Sequence, residues 1–278
     1  MSGSVDDFAV HLLEERIELG GGEHVSGPSG RLLRTTVIEP LWLSGLLLKH
    51  SSDNLMIMAS RTAKSALYDA FASVAQALGS GRRAEIVDVL AQGERSVDEL
   101  AREIEQSVAN TSHHLQLLAK AGVVRSRRDG ARIHYRLASE RVVDLWAAVR
   151  DVAEHHLAEV HVVARDYLGE REDVEQLSPA ELEERLARGQ VVLLDVRPKR
   201  EYEAGHIPGA VWAPLSDLED VAASVPKRKE VVAYCRGPYC IYADDAVRFL
   251  NRRGLKARRL SVGLPEWRRA GHPIESAA

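Results

Sequence analysis

The run SVANTSHHLQLLAKAGVVRSRRDGARIHYRL (residues 107–137) places one amphipathic helix directly before a basic hairpin. Four apolar residues recur at helical spacing on one predicted face: Val108, Leu115, Leu118 and Ala119. From residue 125 the pattern alternates and turns at Asp129-Gly130, which is a strong short signal for a β-hairpin. The run therefore predicts a helix followed by a two-stranded wing.

Positive charge is concentrated in the same segment. Residues 108–136 contain six lysines and arginines against one aspartate, a local charge of +5, although the whole chain carries −4. Any attraction to nucleic acid must therefore come from this patch. Side chains on the helix can reach base edges, and arginines on the hairpin can reach phosphates. The residues that we predict to contact DNA are Ser107, Asn110, Thr111, His113, Lys120, Arg127, Arg128 and Arg132. A solvated, charged hairpin on an ordinary helical domain is the alternative.

Helical patterns flank this segment on both sides. SVDELAREI (96–104) opens with a capping box formed by Ser96 and Glu99, and residues 141–168 read as one long helix with an apolar stripe. The order of helix, turn, helix and basic hairpin predicts a mainly-α winged helix-turn-helix domain over residues 58–169. Residues 1–57, with the glycine- and serine-rich run GGGEHVSGPSG, are expected to be a disordered extension or an over-long gene start.

Residues 62–168 resemble the ArsR family of bacterial repressors. The resemblance lies in S-H-H-L-x-x-L-x-x-A-G-V-V and in the wing R-R-D-G-x-x-x-x-Y. It implies a homodimer formed through the terminal helices of this domain, bound to a double-stranded, pseudo-palindromic operator. Many members sense metals, but SVDELAREI lacks their cysteines and Trp146 stands where a second histidine ligand is expected. The remaining candidate ligands are Asp144, His155, His156 and Glu159, and we predict neither a metal nor a cofactor.

After the charged linker GEREDVEQ (169–176), strands alternate with helices. VVLLD (191–195) and VVAY (231–234) are β-branched runs suited to buried parallel strands, and SPAELEERLARG (178–189) begins like a capped helix. This alternation predicts an α/β domain with a parallel sheet over residues 175–275. The chain is therefore expected to be a multidomain protein.

Both cysteines of the chain lie in the loop after the second strand, AYCRGPYCIY (233–242). Cys235 stands where a strand runs into a helix N-terminus, which offers unpaired backbone N–H groups and the positive end of the helix dipole. Gly237 lets the loop bend, Pro238 stiffens it, and Arg236 adds a cation. These features favour a reactive thiolate at Cys235 over an inert buried thiol.

Residues 175–275 resemble a rhodanese, the fold of sulfurtransferases. The matching pieces are LLDVRPKREYEAGHIPGAVWAPL, the cysteine loop and GLPEWRRAGHPIE. The resemblance implies that Cys235 is the nucleophile that becomes a persulfide, and that Asp195, Arg197 and His206 brace the domain. It also implies a loop whose backbone amides cradle sulfur or an anionic donor, formed by Arg236, Gly237, Pro238, Tyr239 and Ile241.

Two positions of the cysteine loop differ from those of related proteins, and the differences bear on which reaction the loop performs. Phosphatases and arsenate reductases with this loop need an arginine six positions after the cysteine, where this chain has Ile241. Many rhodaneses carry an arginine five positions after it, where this chain has Cys240, which we predict to be a resolving thiol.

Together, the two domains predict a homodimeric repressor that senses sulfane sulfur on Cys235, with thiosulfate, a polysulfide or a persulfide as the sulfur donor. The alternative is a sulfurtransferase enzyme tethered to a DNA-binding module, and the sequence leaves open whether turnover is catalytic. The longest apolar run near the N-terminus, LWLSGLLL (41–48), is too short to span a bilayer, so no membrane partner is expected. A chain with two cysteines fits the reducing cytoplasm.

Overall fold

The computed structural model describes residues 41–276, with side chains from residue 60 onward. Its first helix, α1, spans Leu41–Leu78. This helix includes residues 41–57 of the segment that is expected to be a disordered extension or an over-long gene start; residues 1–40 lie outside the described part. Among the described residues, no helix is both long and apolar enough to cross a membrane.

Residues 61–276 of the described part form one compact unit. This unit holds a helical module followed by an α/β module. The helical module continues from α1 with α2 (Gly81–Ala91), β1 (Arg95–Ser96), α3 (Val97–Glu103), α4 (Val108–Lys120), β2 (Val124–Asp129), β3 (Arg132–Leu137), α5 (Glu140–His156) and α6 (Ala158–Leu168). Its sheet is antiparallel, in the order β1-β3-β2.

Apolar residues of α2 to α5 and the wing close one core. Four side chains are fully buried and pack in the same cluster as Tyr135 of the wing: Ile86, Leu100, Leu115 and Leu118. The predicted capping box at Ser96 is present and begins α3. Burial of this apolar surface holds α4 and the hairpin together. The order of the elements confirms the predicted helix, turn, helix and wing.

Two local predictions in this module are wrong. Asp129 pairs with Arg132, so the hairpin turns at Gly130-Ala131, with Gly130 in the left-handed region at φ 59°; glycine at the first central position suits this turn. The long helix expected over residues 141–168 is broken at Leu157, which has extended backbone angles. The His-rich and β-branched residues around the break are poor helix formers, and the apolar stripe continues on both sides of it.

The α/β module contains β4 (Gln176–Leu177), α7 (Pro179–Ala187), β5 (Val191–Asp195), α8 (Lys199–Ala204), β6 (Val211–Trp212), a 3₁₀ turn (Leu215–Asp217), α9 (Leu218–Ser224), β7 (Glu230–Tyr234), α10 (Tyr242–Arg252), β8 (Ala257–Leu260) and α11 (Leu264–Arg269). The five strands are parallel, in the order β4-β8-β7-β5-β6. The predicted α/β fold with a parallel sheet is confirmed.

Alternate residues of the central strands enter two separate cores. Val231 and Ala233 pack in one cluster, whereas Val232 and Tyr234 pack in the other. A strand buried on both faces must be apolar throughout, which explains why β7 carries no alternating pattern. Because β7 and β5 are neighbouring parallel strands, Cys235 and the residues after Asp195 lie at the same edge of the sheet.

Candidate functional site

The cysteine loop joins β7 to α10 and contains a closed disulfide. Cys235 and Cys240 are bonded to each other, with Cα atoms 6.3 Å apart. Cys235 is 2% exposed, whereas Cys240 is half-buried. The structure thus brings the two predicted sulfur residues into direct contact, within a turn closed by the hydrogen bond from the Cys240 amide to the Gly237 carbonyl (3.2 Å).

Arginines from other elements hold the loop by its carbonyl groups. Arg171 donates to the Pro238 carbonyl at 2.7 Å, and Arg259 donates to the Gly237 carbonyl at 2.8 Å. On the other side, a Cβ at Gly263 would lie 2.2 Å from the carbonyl oxygen of Arg236, so this close approach admits only glycine. The loop is therefore a fixed part of the module.

Asp195, Arg197 and Tyr234 form a buried polar cluster under the loop. Arg197 is 0% exposed, pairs with Asp195 at 2.6 Å and donates to the Gly205 carbonyl at 2.6 Å. The Tyr234 hydroxyl donates to Asp195, and burial together with that carboxylate raises the pKa of Tyr234. His206 stacks on the Tyr202 ring at 3.9 Å. Such satisfied buried groups brace a fold.

Arg236, next to Cys235, is engaged by carboxylates of both modules. Its guanidinium lies 2.5 Å from Glu201 of α8 and 2.9 Å from Glu103 of α3. Arg95 of β1 contacts the same two carboxylates, at 2.7 Å and 3.0 Å. Burial alone would lower the pKa of Arg236, but Glu201 and Glu103 raise it. The guanidinium next to Cys235 is thus a cation, as expected, but its charge is compensated by these two carboxylates.

Gln92, at the C-terminal end of α2, binds the cysteine loop directly. Its Nε2 donates to the Arg236 carbonyl at 3.1 Å, and its Oε1 accepts from Arg197 at 3.2 Å. Gln92 is 4% exposed, so both bonds are shielded from water. The helical module therefore contacts the backbone next to Cys235 as well as the arginine that braces it.

Helix α5 supplies a third group of contacts with the α/β module. Arg150 pairs with Glu266 at 2.5 Å, and Glu266 in turn accepts from the Gly263 amide at 3.1 Å. Burial and a hydrogen bond to Glu154 raise the pKa of Tyr239 to about 12. Sequence reasoning missed Gln92, Arg95, Glu103 and Arg150, because isolated charged and amide residues on or next to amphipathic helices look like an ordinary solvated surface.

The predicted DNA-contacting residues are mostly displayed on α4 and the wing. Asn110, His113 and Lys120 are exposed, as is Arg132, which has no ion pair or side-chain hydrogen bond with the described residues. Ser107 is exposed and caps α4 by accepting from the Asn110 amide. These positions are compatible with insertion of α4 into a groove.

Three of the predicted DNA-contacting residues are already engaged within the protein. Thr111 is 0% exposed and donates to the Ser107 carbonyl, so its side chain belongs to the core and its assignment as a DNA contact is wrong. Arg127 is held by Glu94 at 2.6 Å, and Arg128 donates to the Gly130 carbonyl. Both arginines remain exposed, but they must exchange partners to bind phosphate.

The metal-sensor positions of the last helices lie on the surface. Asp144, His155, His156 and Glu159 are exposed, and Trp146 donates to Asp88 at 2.8 Å. Within the described residues, no group of three or more His, Cys, Asp or Glu side chains could hold a metal ion.

Two family models match the chain. The model described as "Bacterial regulatory protein, arsR family" matches residues 80–126, and the model described as "Rhodanese-like domain" matches residues 178–270. Together they cover the α2-to-wing segment and nearly all of the α/β module.

Similar proteins are found for the two modules together and for each separately. The chain is 46% identical over 215 residues to the HTH-type transcriptional regulator Rv0324 of Mycobacterium tuberculosis, covering 77% of this chain and 94% of that protein. It is 32% identical over 103 residues to a sulfurtransferase of Allochromatium vinosum, covering 36% of this chain and 94% of that protein. A solved winged helix-turn-helix domain from Mycobacterium bovis, homodimeric in solution, is 45% identical and covers 34% of this chain and 89% of its own, with a TM-score of 0.33.

Proposed function

Because the chain belongs to the ArsR family of bacterial regulatory proteins and carries a rhodanese-like domain, we propose that it is a cytoplasmic, homodimeric repressor that senses sulfane sulfur at Cys235. The observation that carries this proposal is the direct contact between the cysteine loop and the DNA-binding module. Gln92 binds the Arg236 carbonyl, and Glu103 binds the Arg236 guanidinium. A change at Cys235 therefore acts on a residue that both modules share.

The homodimer is supported by apolar side chains exposed on the terminal helices. On α1 these are Leu67, Tyr68 and Phe71; on α5 and α6 and the residue between them they are Leu145, Val149, Val152, Leu157, Val162, Val163 and Tyr167. Exposed apolar side chains of this number indicate a surface that is covered in the assembled protein. Dimerisation through these helices would place two copies of α4 on successive half-sites of a palindromic operator.

The coupling runs through a few consecutive residues. Gln92 contacts the cysteine loop, Glu94 holds the wing residue Arg127, and Arg95 pairs with Tyr135 of β3 and with Glu201. A displaced Arg236 carbonyl would pull on the strand that carries the wing. A difference of about 1–3 kcal/mol between two dimer states is enough for regulation of this kind.

The sulfur chemistry is balanced without an external oxidant. Transfer of the sulfane sulfur of a donor R–S–SH to the Cys235 thiolate forms Cys235–S–SH, and RS⁻ leaves with the electron pair of the broken S–S bond. The Cys240 thiolate then attacks the Sγ atom of Cys235, so that the Cys235–Cys240 disulfide forms, the bond to the outer sulfur breaks and HS⁻ leaves. The bonded Cys235–Cys240 pair supports this second step. The persulfide and the disulfide are two covalent states that a sensor can hold.

The test measures operator binding with and without a persulfide donor. The probe is a duplex selected by the protein from random DNA, and the proteins are wild type, Cys235→Ser, Gln92→Ala and the control Gln190→Ala, whose side chain is exposed. We expect the donor to change the affinity of wild type and Gln190→Ala severalfold, while Cys235→Ser does not respond and Gln92→Ala responds weakly. Equal affinities with and without donor in all four proteins would reject sensing.

A sulfurtransferase tethered to DNA is the second candidate. The similarity of the α/β module to a protein named sulfurtransferase favours it. The disulfide and the burial of Cys235 favour a held covalent state instead. Sulfur transfer to cyanide, from thiosulfate and from an organic hydropersulfide, separates the two: sustained multiple turnover with either donor supports the enzyme, whereas one sulfur transferred per chain supports the sensor.

A further inference from the structure

A cleft of about 710 Å³ lies between the cysteine loop and the helical module. Its α/β wall includes Cys240, Tyr239 and Tyr242, and its helical wall includes Trp146 and Tyr167. The cleft is large enough for an organic molecule of moderate size, and its four aromatic rings favour an apolar or aromatic group over a small inorganic ion.

The two cysteines are not equally accessible from this cleft. Cys240 lines it and is half-buried, whereas Cys235 is 2% exposed and does not line it. A molecule that enters the cleft therefore meets Cys240 before Cys235. Since the attacking thiolate must reach the sulfur of the donor, the accessibility of the two cysteines decides which of them reacts with an outside donor.

The charges of the cleft disfavour an anionic donor. Its lining contains four carboxylates, of Glu85, Asp88, Glu103 and Glu105, against three guanidiniums, of Arg82, Arg150 and Arg236.

Every one of these guanidiniums is paired. Arg82 pairs with Glu85 at 2.9 Å, Arg150 with Glu266 at 2.5 Å and Arg236 with Glu103 at 2.9 Å. Glu105 has no ion pair with the described residues. A dianion such as thiosulfate would thus enter a cleft of negative formal charge without an unpaired guanidinium to bind it.

We propose that Cys240 is the first acceptor of sulfane sulfur, and that the cleft selects an organic hydropersulfide with an apolar or aromatic substituent over thiosulfate. This inference rests on the proposed sulfur-sensing function and names its donor class. The Cys240 thiolate attacks the outer sulfur of R–S–SH; the S–S bond of the donor breaks and RS⁻ leaves with the electron pair. The buried Cys235 thiolate then attacks the same outer sulfur, forming Cys235–S–SH and restoring the Cys240 thiolate. Both steps are redox-neutral.

The first experiment compares labelling rates of the reduced full-length protein by mass spectrometry. The donor is benzyl hydropersulfide, and the proteins are wild type, Cys240→Ser and Cys235→Ser. We expect Cys235→Ser to gain one sulfur on Cys240 at the wild-type rate, and Cys240→Ser to be labelled more slowly by on the order of tenfold. Labelling of Cys235 at the wild-type rate in Cys240→Ser would overturn the role of Cys240 alone. Absence of labelling in all three proteins would overturn the sulfur-sensing function itself.

The second experiment tests donor selection by charge. Replacing Glu105 by lysine changes the local charge by two units; for a dianion one Debye length away (about 8 Å at physiological salt) in water, this change corresponds to a rate about fourfold higher. We expect Glu105→Lys to raise the rate of labelling by thiosulfate, a dianion, more than the rate by benzyl hydropersulfide, which carries at most one negative charge; labelling by the latter also shows that the variant is folded. The control is Asp220→Lys, whose position is exposed on α9. Wild-type labelling by thiosulfate as fast as by benzyl hydropersulfide would overturn the selection.

Discussion

Replacing Glu201 by glutamine tests whether the two modules are held together by a buried charge network. The Glu201 side chain is 0% exposed and lies 2.7 Å from Arg95 of the helical module and 2.5 Å from Arg236 of the cysteine loop. Glutamine has nearly the same shape but no charge, and its amide donor would face two guanidiniums. The substitution thus leaves two arginines with less compensation in a dry environment.

The magnitude follows from what remains after the change. Removing one partner of a buried ion pair costs about 3–5 kcal/mol. Here Glu103 still contacts Arg95 at 3.0 Å and Arg236 at 2.9 Å. Because this second carboxylate keeps part of the compensation, we expect a loss of about 2–3 kcal/mol in the free energy of unfolding.

Urea unfolding followed by tryptophan fluorescence measures this loss. Trp146 reports on the helical module, and Trp212 and Trp267 report on the α/β module. The matched control is Glu203→Gln on the same helix, where the carboxylate is 51% exposed and lies 3.7 Å from Lys199; it should change stability by less than about 0.5 kcal/mol. Equal unfolding midpoints for the two variants would refute the argument that buried charges join the modules.

Three further changes test separate parts of the structure. Gly263→Ala should destabilise the protein by about 2 kcal/mol and displace the cysteine loop, because its Cβ would lie 2.2 Å from the Arg236 carbonyl oxygen. Partial burial opposes ionisation of Glu99, but hydrogen bonds from the Ser96 backbone and from Arg200 lower its pKa from 4.5 to about 2. Its stabilising contribution is therefore present above pH 4.5 and lost as the pH falls towards 2, so Glu99→Gln should flatten the pH dependence of unfolding in that range. Arg132→Ala should weaken DNA binding similarly for all sequences and lower the salt dependence by about one phosphate contact, without changing stability.

Each of these changes has a control within the chain. Gly81→Ala meets no atom within 4 Å and should leave the urea midpoint unchanged or raised, so a similar loss in both glycine variants would contradict the contact argument. For Glu99, superimposable pH profiles of wild type and Glu99→Gln would show that its ionisation is not linked to folding. Arg228→Ala removes an exposed arginine of the α/β module, and it should leave DNA binding and its salt slope at wild-type values.

Much of the fold follows from local patterns. The helix before the wing, the capping boxes at Ser96 and Ser178, and the buried strands β5 and β7 all lie where periodicity and capping residues predict them. Two local predictions were wrong. The hairpin turns at Gly130-Ala131 and not at Asp129-Gly130, and one residue with extended backbone angles, Leu157, divides the predicted long helix. Periodicity cannot locate such a break, since the apolar stripe is the same on both sides.

For the candidate site, the sequence by itself determined the two thiols, their spacing and their place between a strand and a helix, because these depend on neighbouring residues. Only the tertiary structure decided which thiol faces the cleft and which groups surround them. Gln92 and Arg236, or Arg95 and Glu201, are separated by more than a hundred positions. Two buried polar residues so far apart in the sequence leave no periodic pattern and no motif that would reveal their contact. Their burial depends on how the two modules pack and not on either segment alone. Packing within the helical module buries Thr111 away from the DNA-contacting face, and packing between the modules pairs the arginine beside Cys235 with carboxylates.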